Sequence, residues 1–183
     1  MDISEARKQV ISGERIYLRH LTLSDVSDAY LSWLNDSEVT VFMETKHSTM
    51  GELQAFVKER ISKDDCLFFG IFDIPSNRHI GNIKLEPISL KEKKATIGIM
   101  LGDKSYWGKS FGYDSLLLCV NWVAKNLPID KLYLGVLPEN KRAFSLYKKI
   151  GFTVLAIAKK SAVYEDGVHD NILMELDLSK LKN

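Results

Sequence analysis

The chain has 183 residues, 45% hydrophobic and 27% charged, with a formal net charge of +1. That size suits one domain with a full core, and that balance excludes a disordered chain and any global attraction to nucleic acid or a membrane surface. No apolar run approaches a membrane span and the first residues, Met-Asp-Ile-Ser-Glu-Ala-Arg, lack the apolar stretch of a leader, so a cytoplasmic location is expected.

Residues 1–12 read as a loosely held lead-in, 13–178 as the domain and 179–183 as a tail. Ile16–Leu21 alternates as a short strand. Thr22 and Asp25 suggest a capping box for a helix with Val26, Ala29, Tyr30, Trp33 and Leu34 on one face, ended by Asn35-Asp36-Ser37. An irregular segment carrying Phe42, Met43, Glu44 and His47 follows, and a second box, Thr49 with Glu52, opens a helix that buries Leu53, Phe56, Val57 and Ile61. Cys66–Asp73 is almost continuously apolar, the mark of a central strand. His79–Pro87 and Ala95–Leu101 are strands joined by a charged hairpin. Tyr113, Leu116, Leu117, Val120, Val123, Ala124 and Leu127 stripe a long helix stopped by Pro128. Lys131–Val136 is a fifth strand, Lys141–Ile150 a short helix closed by Gly151, and Thr153–Val163 with Val168–Leu178 a final pair turned at Glu165-Asp166-Gly167. Cys66 and Cys119 sit in apolar runs without metal-ligand spacing and read as reduced core thiols, so no metal is expected. The order β-α-α-β-β-β-α-β-α-β-β gives a mixed α/β domain with a sheet of about seven strands and about four helices.

Two stretches carry chemistry. From Met100 to Gly112 a strand, a glycine-bearing loop and a helix start follow one another, which is an anion cradle: the first N–H groups of a helix have no internal partner and lie at its positive end. An ordinary strand-to-helix connection has the same spacing. From Val136 to Phe152, Asn140 and Tyr147 lie two helical turns apart and share one side. Asn140 also suits a plain N-cap, and Tyr147 also falls in the apolar stripe of Ala143, Leu146 and Ile150.

Taken together the two stretches resemble the GNAT family of acyl-CoA-dependent N-acetyltransferases. The family loop Arg/Gln-x-x-Gly-x-Gly/Ala aligns with Trp107-Gly108-Lys109-Ser110-Phe111-Gly112, and the signature Asn-x-x-Ala-x-x-Leu-Tyr-x-Lys-x-Gly-Phe matches Asn140, Ala143, Leu146, Tyr147, Lys149, Gly151 and Phe152. Tyr17-Leu-Arg-His-Leu, Trp33-Leu-Asn-Asp and Ile172-Leu-Met-Glu-Leu look like the RimJ/RimL-type branch. The resemblance implies a sheet splayed between the fourth and fifth strands, with acetyl-CoA as co-substrate. Its pantetheine arm would pair with Ile99, Met100 and Leu101, and its diphosphate would rest on the loop amides from Gly108 to Gly112. Asn140 would orient the arm and Tyr147 would protonate the departing thiolate. The resemblance puts the acceptor pocket at Trp33, Asn35, Asp36, Phe42, Met43 and Glu44, with Tyr164 and His169. Its implied partner is a small-molecule primary amine, a nucleotide-linked amino sugar being favoured; a protein N-terminal acetyltransferase of the ribosomal-protein type and a catalytically quiet acyl-CoA-binding module stay open beside it, and a homodimer is admissible.

Two departures stand out. Ser110 replaces the first family glycine, and a right-handed φ is expected there because Gly108 supplies local freedom. Thr96 stands where many relatives carry a glutamate base, which leaves Glu86 or Glu44 to take the proton through water. A lysine amine is only about 0.1% neutral at pH 7.4, whereas an α-amine is already about a quarter neutral, so a missing carboxylate points away from lysine acceptors.

Overall fold

The computed structural model describes residues 1–164 and 167–182. In chain order the elements are α1 (Ile3–Ala6), β1 (Val10–Ser12), β2 (Ile16–His20), α2 (Asp28–Leu34), α3 (Ser37–Thr40), α4 (Met50–Ser62), β3 (Leu67–Asp73), β4 (His79–Ser89), β5 (Lys94–Leu101), α5 (Phe111–Asn126), β6 (Lys131–Val136), α6 (Lys141–Ile150), β7 (Thr153–Tyr164) and β8 (Gly167–Asp177). One eight-stranded sheet runs β1-β2-β3-β4-β5-β6-β8-β7. The strand expected at Ala95–Leu101 is therefore β5, because the lead-in supplies an additional strand.

That lead-in is held more firmly than its sequence suggests. Ile3, Ala6 and Ile11 are buried, β1 pairs with β2 from Val10↔Arg19 to Ser12↔Tyr17, and the Arg7 guanidinium donates to the Lys63 and Cys66 carbonyls. Its polar residues hide a three-point apolar anchor too sparse to register as a period.

Strand β3 is buried at every position, as its unbroken apolar run requires when both faces are covered. Phe69 and Ile71 point to one face with Leu18, Ile83, Ile97, Leu116, Val120 and Leu132. Phe68 and Phe72 point to the other, against Leu21, Tyr30, Trp33, Leu53 and Val57 of the α2–α4 layer. Thr49 and Glu52 form the expected box at the start of α4. At Thr22 the box closes only a short 3₁₀ turn, Leu23–Asp25, because Val26 is extended and α2 starts afresh from an N-cap at Ser27. Asp25 meanwhile pairs with Arg19 at 2.8 and 2.5 Å, pinning that turn to β2. The turn expected at Glu165-Asp166 lies outside the described residues, and β7 and β8 pair up to Tyr164↔Gly167 on either side of it. Among the described residues no helix is long and apolar enough to cross a membrane.

The site is positioned by one irregularity. β5 and β6 run parallel and pair only at Lys94↔Lys131, Ala95↔Leu132 and Thr96↔Tyr133. Each keeps its outer neighbour to the end, β5 through Gly81↔Leu101 with β4 and β6 through Val136↔Ile172 with β8. From Ile97 and Leu134 onward the two part, leaving a wedge that opens toward the loop before α5.

Candidate active site

The loop is folded back on the end of β5 by the Trp107 indole, whose Nε1–H donates to the Leu101 carbonyl at 2.7 Å. Gly108 has φ of +72°, and Ser110, the N-cap of α5, has φ of +66° and ψ of 6°. The expected right-handed φ at Ser110 is thus corrected: two left-handed residues, not one, turn the chain into the helix. The Ser110 side chain makes no capping hydrogen bond that offsets a cost of about 1 kcal/mol for a non-glycine residue there. The turn leaves a row of donors. Among the described residues, none of the N–H groups from Gly108 to Tyr113 finds an acceptor within the protein; Asp114 N–H makes the first bond, to Ser110 at 3.0 Å. At the positive end of a 16-residue helix these amides suit a diphosphate.

Across the wedge, Asn140 caps α6 by accepting from the Ala143 N–H at 3.1 Å. Two turns on, Tyr147 is 7% exposed and packs edge-on against Phe152 with ring centres 5.9 Å apart. Burial pushes its phenol up to about 12, with Tyr164 adding to the effect, and its hydroxyl makes no hydrogen bond to another described residue. Ile99, Leu101, Phe111, Ala143 and Leu146 pack against the same apolar cluster as Tyr147. Met100 points to the opposite face and packs with the cluster around Trp33. Arg142, at the start of α6, lies over the Trp107 ring at 4.9 Å and ties the loop to the far wall.

On the acceptor side several expected residues are committed to structure. Trp33 is 7% exposed, packed at a tilt against Tyr30 and edge-on to His79, and lies so close under Gly102 that an added Cβ would stand 2.2 Å from its ring. Asn35 staples the irregular segment: its amide donates to Ser48 at 2.9 Å and accepts from the Ser48 N–H at 3.1 Å. Asp36 caps α3 and pairs with Lys104 at 2.6 Å. Phe42 and Met43 remain half-buried and Glu44 exposed at the rim. Lys46 sits over Tyr164 at 5.7 Å, and Tyr164 meets His169 edge-on at 5.5 Å, so the α3–α4 loop touches the last hairpin.

Glu86 is gripped by Arg60 at 2.8 Å, Lys63 at 2.8 Å and Lys84 at 3.0 Å. Burial raises its pKa, but the hydrogen bonds from Lys63 and Lys84 and the nearby Arg60 charge outweigh burial and hold the carboxyl below its ordinary range. Thr96 faces Tyr133 on β6, and Tyr133 in turn stands opposite Glu175 of β8. Arg15 was not foreseen. It reaches from the start of β2 to the back of the loop, and nothing in its local sequence signals a partner about a hundred positions away. Among the described residues no cluster of His, Cys, Asp or Glu side chains is gathered as for a metal ion.

Residues 15–153 match the acetyltransferase (GNAT) domain family, and the chain belongs to it. It is an acyltransferase of that class, whose members use acetyl-CoA. A probable N-acetyltransferase of Bacillus subtilis (strain 168), YjcK, is 29% identical over 172 residues, 86% of this chain and 93% of its own. In fold the chain is similar to the spermidine N-acetyltransferase of Vibrio cholerae solved with CoA and spermine, at a TM-score of 0.83 and 22% identity over 93% of this chain and all (100%) of that one. It is equally similar to RimL, a ribosomal L7/L12 alpha-N-protein acetyltransferase solved with CoA, at 0.83 and 18% identity over 92% and 98% of the two chains.

Proposed function

We propose that this protein transfers an acetyl group from acetyl-CoA directly to a primary amine of a small molecule, and that it sits in the RimJ/RimL-like branch. The observation that carries the reading is the wedge, formed because β5 and β6 pair at three positions only and bounded by the free amides of residues 108–113 and by Tyr147. Acetyl-CoA supplies the activated acyl group as a thioester. The loop amides hold its diphosphate, and the β5 backbone at Ile99, Met100 and Leu101 binds its arm and donates to the thioester oxygen as charge builds there. Asn140, its carbonyl already bonded to Ala143, offers its amide N–H groups to the same arm. The amine nitrogen attacks the acyl carbon, the carbon–sulfur bond breaks, and Tyr147 O–H gives its proton to sulfur. A phenol near 12 holds that proton until the bond is breaking, so the transfer is concerted.

Glu86 has no part in this chemistry, because its three cations make it a poor proton acceptor. The amine enters largely neutral, its released proton leaves to solvent, and the Tyr147 phenolate takes a proton back from solvent as CoA departs, which restores the enzyme. This favours amines of low basicity, amino sugars among them, with Phe42 and Glu44 at the acceptor rim. A peptide α-amine is the second reading, supported by an open floor: an added Cβ at Gly98 of β5 would meet nothing within 4 Å. CoA release should be followed with a nucleotide-linked amino sugar, spermidine, a free-amine peptide and a lysine side-chain analogue. At pH 7.4 the first or third should exceed the lysine analogue at least about tenfold. Lysine turnover matching them at neutral pH would overturn the acceptor assignment, and bound CoA with no turnover on any amine would overturn the enzymatic one.

A homodimer belongs to the same proposal. β7 is an edge strand with Val154, Leu155, Ile157 and Val163 between 46% and 71% exposed, and such an edge pairs readily with a second copy. Light scattering should give twice the chain mass, and a monomer at tens of micromolar would rule the dimer out.

A further inference from the structure

We infer that Arg15 is a positioning residue for the diphosphate cradle, acting from the outer side of the loop; the inference rests on the cradle assignment above. Three contacts carry it. Arg15 Nη2–H donates to the Lys109 carbonyl at 3.0 Å, Nε–H donates to Asp114 Oδ2 at 3.0 Å, and the guanidinium lies 4.3 Å from the centre of the Phe111 ring. Nη2 also pairs with the same Asp114 oxygen. The residues gripped, 109, 111 and 114, bracket the left-handed Ser110 and the free amides from 110 to 113.

The Lys109 carbonyl and the Ser110 N–H belong to one planar trans peptide and point in opposite directions. Holding that carbonyl outward therefore turns the Ser110 N–H inward, away from Arg15. The Asp114 contact fixes the first helical turn, and the stack on Phe111 fixes the residue between. Left alone, this stretch has reason to relax, since Ser110 holds a left-handed φ and the neighbouring N–H groups have no acceptor within the described residues. As an ion pair the contact is worth little, because the Arg15 and Asp114 side chains are 44% and 35% exposed. Its value lies in preorganisation: a ligand that meets ordered donors does not have to order them. Arg15 itself is engaged by Asp114 and Lys109, so it acts through the loop and not as a phosphate ligand.

The test is calorimetric binding of CoA and of pantetheine, which lacks the diphosphate, to wild type, Arg15→Ala and Arg15→Lys. Arg15→Ala should weaken CoA about tenfold and leave pantetheine unchanged, with kcat at saturating acetyl-CoA within about twofold. Arg15→Lys restores the charge without the planar fork and should stay weak, which separates positioning from long-range attraction. It also carries the test if Arg15→Ala does not fold. CoA affinity at the wild-type level in either folded variant overturns the inference, as does recovery of full affinity by lysine. Should wild type itself bind CoA no better than pantetheine, the cradle assignment falls and the inference with it; if wild type discriminates and both variants discriminate to the same extent, only the role of Arg15 falls.

Discussion

Replacing Tyr147 by phenylalanine is expected to lower kcat by about 10²–10⁴-fold, the range a positioned proton donor contributes, while leaving CoA affinity within about twofold. The ring stays packed on Phe152, so the change deletes one oxygen and little else. Because that hydroxyl has no hydrogen bond to another described residue, stability should hold or rise slightly, which separates a chemical loss from a folding one. The pH dependence follows from the direction of the shift. A phenol raised by burial to about 12 keeps its proton through neutral and mildly alkaline pH, so wild-type kcat should not fall from its ionisation below about pH 10. Steady-state rates with calorimetric CoA binding decide the matter. A variant retaining kcat within threefold of wild type removes Tyr147 from the chemistry.

The second large effect lies behind the wedge. Gly81 of β4 faces Leu101, and a Cβ added there would stand 2.3 Å from the Met100 carbonyl oxygen and 3.0 Å from the Leu101 Cα. Both obstacles are backbone, so no rotamer change relieves them. Gly81→Ala should therefore cost about 3 kcal/mol of stability and push Met100 and Leu101 out of line, costing acetyl-CoA affinity in the protein that still folds. Urea unfolding and CoA titration measure the two parts. A variant with an unchanged midpoint and unchanged affinity would show that the end of β5 is plastic, and the proposed role of its backbone would lose its rigid footing.

Most of the architecture was legible because its signals are local. The unbroken apolar run of β3, the helical stripe of α5, the Thr49–Glu52 box and the Gly151 C′ residue each report a short-range physical requirement, and each element is where those residues indicate. The lead-in escaped because Ile3, Ala6 and Ile11 gain their burial from strands and helices far along the chain. Ser110 escaped for a related reason: whether a serine at a helix start takes a left-handed φ depends on which way the loop must present its amides, and its neighbours in sequence do not decide that.

At the acceptor side the difficulty was of another kind. Trp33 and Asn35 have residue types that recognise ligands, but a buried indole under Gly102 and an amide bridging to Ser48 serve the fold equally well. Residue type gives chemical capacity, whereas burial and partners decide whether that capacity faces a cleft. Glu86 makes the same point with charge: three cations converge on it from α4, the residue that caps it and β4, and their convergence holds its carboxyl below the ordinary range.

The junction between β5 and β6 has a mechanical corollary. Among the described residues, three ladder positions are all the strand pairing that joins the five-strand half of the sheet to the three-strand half. An occupant of the gap would act as a temporary additional strand, stitching two blades that otherwise meet along a short seam. Cofactor abundance in the cell would then set how firmly the molecule is held together as well as how fast it works, since whatever binds only the folded form stabilises it in proportion to the logarithm of its concentration.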